Sequence, residues 1–173
     1  TGRSSEALNV NQTVVALSPK EAAAHSNLGI TLQELGRLEE AKASLEQAIT
    51  LKSDFVEAHY NLGNVLKELG RLDEAEESYN RAIALKFDFA EAHYNLGVML
   101  KEMDRLEEAE LSYTQTITLR PNYAEAHNNL GNTLKELGRL NEAKASYKQA
   151  ITLKPDYAEA HNNLGITLQE LDK

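Results

Sequence analysis

The histidines of this chain, His25, His59, His93, His127 and His161, stand 34 residues apart, and no other histidine occurs. The same interval separates Asn27, Asn61, Asn95, Asn129 and Asn163, and the Leu and Gly that follow directly keep it from Leu28-Gly29 to Leu164-Gly165. A period of this length means that one supersecondary unit is written repeatedly. Each copy then buries its apolar face on its neighbours and not in a central globule. Units are counted from Ala22, Val56, Ala90, Ala124 and Ala158, and repeat positions are numbered from those residues.

Each unit reads as two helices. Just 3 Pro and 9 Gly in 173 residues, with much Ala, Leu, Glu and Lys, favour helix. The first helix spans about positions 1 to 14 and stops at position 15, where Gly36, Gly70 and Gly138 suit a left-handed residue past the helix end. Asp104 holds that place in the third unit, and Asp tolerates the conformation better than most residues. The second helix opens on acids (Glu39-Glu40, Asp73-Glu74, Glu107-Glu108, Glu142), which suit a helix N-terminus, and runs to Leu51, Leu85, Leu119 and Leu153. Pro121 and Pro155 break the chain before the next unit.

On a helix of 3.6 residues per turn, positions 3, 4, 7, 8, 10, 11 and 14 share one side and are mostly Ala, His, Leu and Gly. That side packs, and Gly at position 8 admits the second helix closely. Positions 2, 5, 6, 9, 12 and 13 face away and are mostly polar. The histidines thus belong to the packing side. A catalytic site needs different residues converging on one place. Helices of neighbouring repeats lie roughly 8–10 Å apart, whereas ligands of one zinc at about 2.1 Å must nearly touch. No catalytic residue, metal site or cofactor is expected.

Glu57, Glu91, Glu125 and Glu159 at position 2 follow Asp54, Asp88, Asn122 and Asp156 by three residues, the spacing of a capping box. Ser18 and Glu21 repeat it in the first unit, with Pro19 at a favoured first helical place. The box is the expectation; an acidic stripe preferring basic peptides is the other reading.

Charge narrows the partners. With 18 Lys+Arg against 27 Asp+Glu the net charge is −9, which argues against nucleic acid and anionic membrane as partners. Without cysteine there is no thiolate chemistry, and the redox compartment is unreadable. No apolar run approaches the roughly 18 residues of a spanning helix, and no signal peptide is recognisable. A cytoplasmic location is expected; because the chain starts at Thr1, an upstream targeting segment or domain stays open.

Small or apolar residues at positions 8, 20 and 27 (Gly29, Ala41, Ala48), Leu at 7 and 11, Tyr79, Tyr113 and Tyr147 at 24, and Pro121 and Pro155 at 32 make a pattern that resembles the tetratricopeptide repeat (TPR) family. His at position 4 and Ser53 and Phe87 at position 32 depart from it. The resemblance covers essentially the whole chain. It implies an all-α, right-handed superhelical solenoid of antiparallel helix pairs over 1–173: a second helix alone (1–21), full repeats 22–55, 56–89, 90–123 and 124–157, and a first helix alone (158–173). It also implies that the polar face of each first helix lines a concave groove.

Asn27, Asn61, Asn95, Asn129 and Asn163 lie on that face, and each amide offers a donor and an acceptor. From the residues alone, they either pair with the main chain of an extended peptide or bond within the solenoid and set its stacking. The Asn-Leu pair is similar to the peptide-contacting asparagine ladder of O-linked N-acetylglucosamine transferases, which implies the first. Varying neighbours on the same face are candidates for selectivity: Tyr60 and Tyr94 at position 5, Asn64 and Asn132 at 9, and Lys67, Lys101 and Lys135 at 12. The cations that grip a chaperone C-terminal carboxylate in some TPR domains are missing here, since position 2 is Glu and position 5 is Ser, Tyr or Asn.

The reading is a non-enzymatic scaffold that binds an extended polypeptide. One alternative is the substrate-recognition arm of a larger enzyme such as a glycosyltransferase. The other is head-to-tail self-assembly, in which Leu164 and Leu168 pack on the 1–21 helix of another copy against Ala7, Val10, Val14 and Val15, with Asn11 softening that stripe.

Overall fold

A computed structural model describes residues 2–173, with side chains from Ser5 onward. Among the described residues there are ten helices and no strand: α1 (Gly2–Leu17), α2 (Ala22–Glu34), α3 (Leu38–Leu51), α4 (Val56–Glu68), α5 (Leu72–Leu85), α6 (Ala90–Glu102), α7 (Leu106–Leu119), α8 (Ala124–Glu136), α9 (Leu140–Leu153) and α10 (Ala158–Leu171). The chain forms two compact units, 1–87 with α1 to α5 and 88–173 with α6 to α10.

In both units the tightest packing joins the two helices of one repeat. A β-carbon added at Gly63 would stand 2.7 Å from the Tyr79 ring, and one at Gly131 would stand 2.6 Å from the Tyr147 ring. Glycine at position 8 is therefore what lets the fully buried tyrosine of the second helix lie flat on the first. Ala41, Ala48, Ala75, Ala82, Ala109, Ala143 and Ala150 are wholly buried around it, small residues that let the helices come together. Each full repeat thus has a core of one large side chain, Leu45 or a tyrosine, ringed by alanine.

The helix stops follow from backbone chemistry. Gly70 adopts φ +74° and Asp104 φ +60°, and each turn closes with paired bonds: Gly70 N–H to Lys67 O (3.0 Å) and Arg71 N–H to Leu66 O (2.9 Å) in the first case. This is the Schellman arrangement, which satisfies carbonyls that the helix end would orphan.

The next helix begins at once, capped by an arginine. The guanidiniums of Arg37, Arg71, Arg105 and Arg139 reach the carboxylates three residues on, at Glu40, Glu74, Glu108 and Glu142, in two-pronged pairs of 2.6–2.8 Å. The pairs are solvent-exposed, so water and salt screen them and each adds little to stability.

The first helices do not carry the expected capping box. Their N-caps are Glu21, Phe55, Phe89, Tyr123 and Tyr157, and none makes a side-chain cap bond. Asp54, Asp88, Asn122 and Asp156 fall one residue too early, in the turn, which puts the following glutamate at the second helical place and out of register with the box. Pro19 likewise lies in the turn between α1 and α2, and not at a helix start.

Histidine does part of the work assigned to those caps. Nε2 of His25, His59, His127 and His161 lies 2.9–3.0 Å from the carbonyl oxygens of Pro19, Ser53, Pro121 and Pro155. A carbonyl has no proton to give, so Nε2 is the donor. Each histidine pins the turn before its own helix. Because the acceptor is main chain, Ser53 serves as well as proline at position 32.

Candidate functional site

The polar side of each first helix carries the candidate residues, and the two units use it differently. In unit 1, Asn27 is exposed and Asn61 half-buried, and neither side-chain amide has a partner among the described residues. The Asn27 carbonyl oxygen accepts a long bond (3.4 Å) from Asn11, whose amide also donates to Thr31 Oγ1 at 2.8 Å. Tyr60 leans on Tyr79 with centroids 6.2 Å apart. Asn64 accepts the Tyr79 hydroxyl at 2.8 Å, so part of its hydrogen-bonding capacity is spent on holding the core. Gln33 donates to Glu68 at 2.6 Å, and Lys67 is half-buried at the equivalent place of the next repeat.

In unit 2 the same positions form a network. The Asn129 amide donates to the Tyr94 hydroxyl at 3.0 Å. Asn163 donates to Asn132 at 2.9 Å and to Asn128 at 3.3 Å, while Asn132 also takes the Tyr147 hydroxyl at 2.9 Å. Asn128, at position 5, is fully buried and donates to Glu159 at 2.9 Å. At position 5 Ser26 and Asn128 are buried, Tyr60 and Tyr94 are partly exposed, and Asn162 on α10 is exposed. Asn95 is half-buried on the same face. Lys101 reaches Glu136 at 2.8 Å and Lys135 reaches Glu170 at 3.4 Å, a ladder that fixes lysines read as contact candidates.

The aromatic residues at position 34 were not read as functional from sequence, although Phe55, Phe89, Tyr123 and Tyr157 repeat there. Tyr123 stacks on Tyr94 at 4.8 Å, and Arg120 and Lys154 lie over Tyr123 and Tyr157 at 5.4 and 4.8 Å. The same two cations pair with position-2 acids, Arg120 with Glu91 and Lys154 with Glu125. Those two acids are tied to their own repeat's end, in place of the capping reading. Burial pushes the Tyr94 hydroxyl up to about 12, so it remains a neutral donor and acceptor at any physiological pH. Among the described residues no three His, Asp or Glu side chains converge as a metal site, and no helix is long and apolar enough to cross a membrane.

The comparisons agree with this geometry. A TPR repeat model matches residues 34–70, 63–104 and 131–172, and tetratricopeptide repeat models match 90–123 and 112–145. The chain belongs to the tetratricopeptide repeat family. Among solved structures it is similar to MamA, with 26% identity over 91% of this chain and 92% of that one and a TM-score of 0.84. It is also similar in fold to YrrB, a TPR protein with an unusual peptide-binding site (24% identity, 94% and 84% covered, TM-score 0.81). A third likeness is to PilF of Pseudomonas aeruginosa (24% identity, 87% and 69% covered, TM-score 0.79). No curated protein matches the chain by sequence. The fold is that of TPR interaction scaffolds.

Proposed function

We propose that this chain is a non-enzymatic interaction scaffold whose asparagine-bearing face binds an extended polypeptide in a concave groove. The observation that carries the reading is the pair of unpartnered amides at Asn27 and Asn61, beside the partly exposed Tyr60. An amide supplies one donor and one acceptor, the complement of a peptide unit, and so gives affinity that tolerates many sequences. Asn95, Asn129 and Asn163 are further rungs, with selectivity set by Tyr60, Tyr94, Asn64, Asn132, Lys67, Lys101 and Lys135. The YrrB likeness supports a peptide as the ligand class without naming one.

Selection from a displayed random-peptide library would supply a ligand. Replacing Asn27 and Asn61 together by Ala should then weaken it about tenfold or more while helicity and melting temperature hold. Unchanged affinity, or unfolding of the double variant, would overturn the reading.

A second reading, head-to-tail self-association, is favoured by the uncovered faces of the terminal helices. Val10 and Leu17 on α1 are 60% and 79% exposed, Leu168 on α10 is 37% exposed, and nothing lies within 4 Å of a β-carbon built on Gly165. Mass in solution against concentration tests it: a mass constant at that of one chain would end the idea.

A further inference from the structure

The charged residues beside the asparagines also differ between the two units. In unit 2 they are spent. At position 2, Glu91 pairs with Arg120, Glu125 pairs with Lys154, and Glu159 accepts the Asn128 amide at 2.9 Å. At position 12, Lys101 pairs with Glu136 and Lys135 with Glu170. On α4 of unit 1 the same two places are unspent. Glu57, exposed, and Lys67, half-buried, make no ion pair and no side-chain hydrogen bond among the described residues. Glu57 takes no bond even from Lys86, which holds the place of Arg120 and Lys154 in its repeat.

These two charges cannot satisfy each other. Residues 57 and 67 stand at opposite ends of α4, and helical rise sets them about 15 Å apart along the axis. Asn61 lies between them on the same side, about 6 Å along the axis from Glu57 and about 9 Å from Lys67. Its amide is open because of what stands upstream. Where Asn163 finds Asn128 and Asn132, the residues matching them for Asn61 are Ser26 and Ile30. Ser26 is buried, and isoleucine has no acceptor in its side chain.

We infer that α4 reads charge on both sides of the bound strand, and that the ligand is an extended peptide with a basic and an acidic residue next to each other. The basic side chain meets Glu57 and the acidic one meets Lys67. This rests on the reading of the asparagine face as a peptide groove. A strand held by Asn27 and Asn61 crosses from α2 to α4, so its side chains point alternately toward the two ends of α4. Adjacent residues therefore reach opposite ends, and residues two apart reach the same end. Main-chain bonds to the amides supply affinity for any sequence, whereas the two charges select sequence and fix register.

The test uses the full chain and three short labelled peptides of alanine and serine that differ at the centre: Lys-Asp, Lys-Ala-Asp and the neutral Gln-Asn. At low salt Lys-Asp should bind about fivefold more tightly than Gln-Asn. Lys-Ala-Asp, which cannot meet both charges, should gain little. Glu57→Gln and Lys67→Gln should each remove about half of the Lys-Asp advantage, and together all of it, with Gln-Asn binding unchanged. High salt should erase the advantage in the same way. The Asn27→Ala, Asn61→Ala variant should weaken all three peptides alike.

Equal binding of Lys-Asp and Gln-Asn would overturn the proposal. So would equal binding of Lys-Asp and Lys-Ala-Asp, no binding of Lys-Asp at millimolar concentration, or a preference that survives the double glutamine variant. If the asparagine variant weakens every peptide and no charge preference exists, this inference alone falls. If that variant binds all three as tightly as before, the peptide groove falls and this inference with it.

Discussion

Asn61 in unit 1 and Asn129 and Asn163 in unit 2 occupy the same repeat position, yet only the latter two are bonded to a neighbouring repeat. The difference lies one repeat upstream. Asn129 and Asn163 meet Tyr94 and Asn128 at position 5, whereas the matching residue upstream of Asn61 is Ser26, which is short and buried. The second-helix side shows the same logic, with Glu110 available to Arg139 in unit 2 and Lys42 in the matching place in unit 1. A residue repeated without change therefore does not have a repeated role. Its role is set by what the adjacent copy offers at a distance of about one period.

The largest expected effect sharpens this contrast in the core. Gly131→Ala would set a β-carbon 2.6 Å from the stiff Tyr147 ring in unit 2. We expect a loss of about 1–3 kcal/mol, as overpacking typically gives. Gly29→Ala in unit 1 meets Leu45 Cγ at the same 2.6 Å, but leucine rotates aside more easily, so its loss should be smaller. Gly165→Ala has open space and should stabilise α10, by about 1 kcal/mol at most. Denaturant melts of the three variants decide it; equal losses at Gly29 and Gly131 would break the distinction between the two cores.

A smaller effect reads the unit 2 network through pH. Burial pushes the Tyr147 hydroxyl up to about 12, from an ordinary value near 10. Below pH 10 the phenol is neutral whether the chain is folded or not. Above it the unfolded chain ionises first, so the contribution of the neutral folded phenol is lost as pH rises toward 12. Melting temperature should fall across that interval. Tyr147→Phe should flatten the fall, while costing about 1 kcal/mol at neutral pH because the bond to Asn132 is gone. An unchanged slope in the variant would show that this phenol does not report on the network.

The smallest effect exchanges the charges at Lys42 and Glu110. Lys42→Glu gives unit 1 an acid opposite Arg71, and Glu110→Lys removes the acid from unit 2. Both sites are near the surface, so we expect a small gain in unit 1, offset in part by loss of the Lys42–Glu46 pair, and a small loss in unit 2, each shrinking in high salt. Equal effects at high and low salt would mean that packing and not charge distinguishes the two sides.

What was legible in the sequence was what depends on residues within one turn or one repeat. Helix bounds, the left-handed stops at Gly36, Gly70, Asp104 and Gly138, the close approach at position 8 and the packing side were all readable, because sterics and periodicity act locally. The capping register was misread by one residue, since spacing alone does not say which residue leaves the helical conformation first. The Arg-to-Glu pairs at the second-helix starts are legible as a three-residue spacing, whereas the acids by themselves indicate only a favourable helix N-terminus.

The helix pairs, their 34-residue period and the alanine-ringed cores thus follow from residue order alone. Tertiary structure alone decided which asparagines are spent within unit 2 and which remain open in unit 1. The reason is geometric: those outcomes depend on side-chain reach between residues some 30 positions apart, and a repeat pattern records identity at each position but not length and partner across the junction.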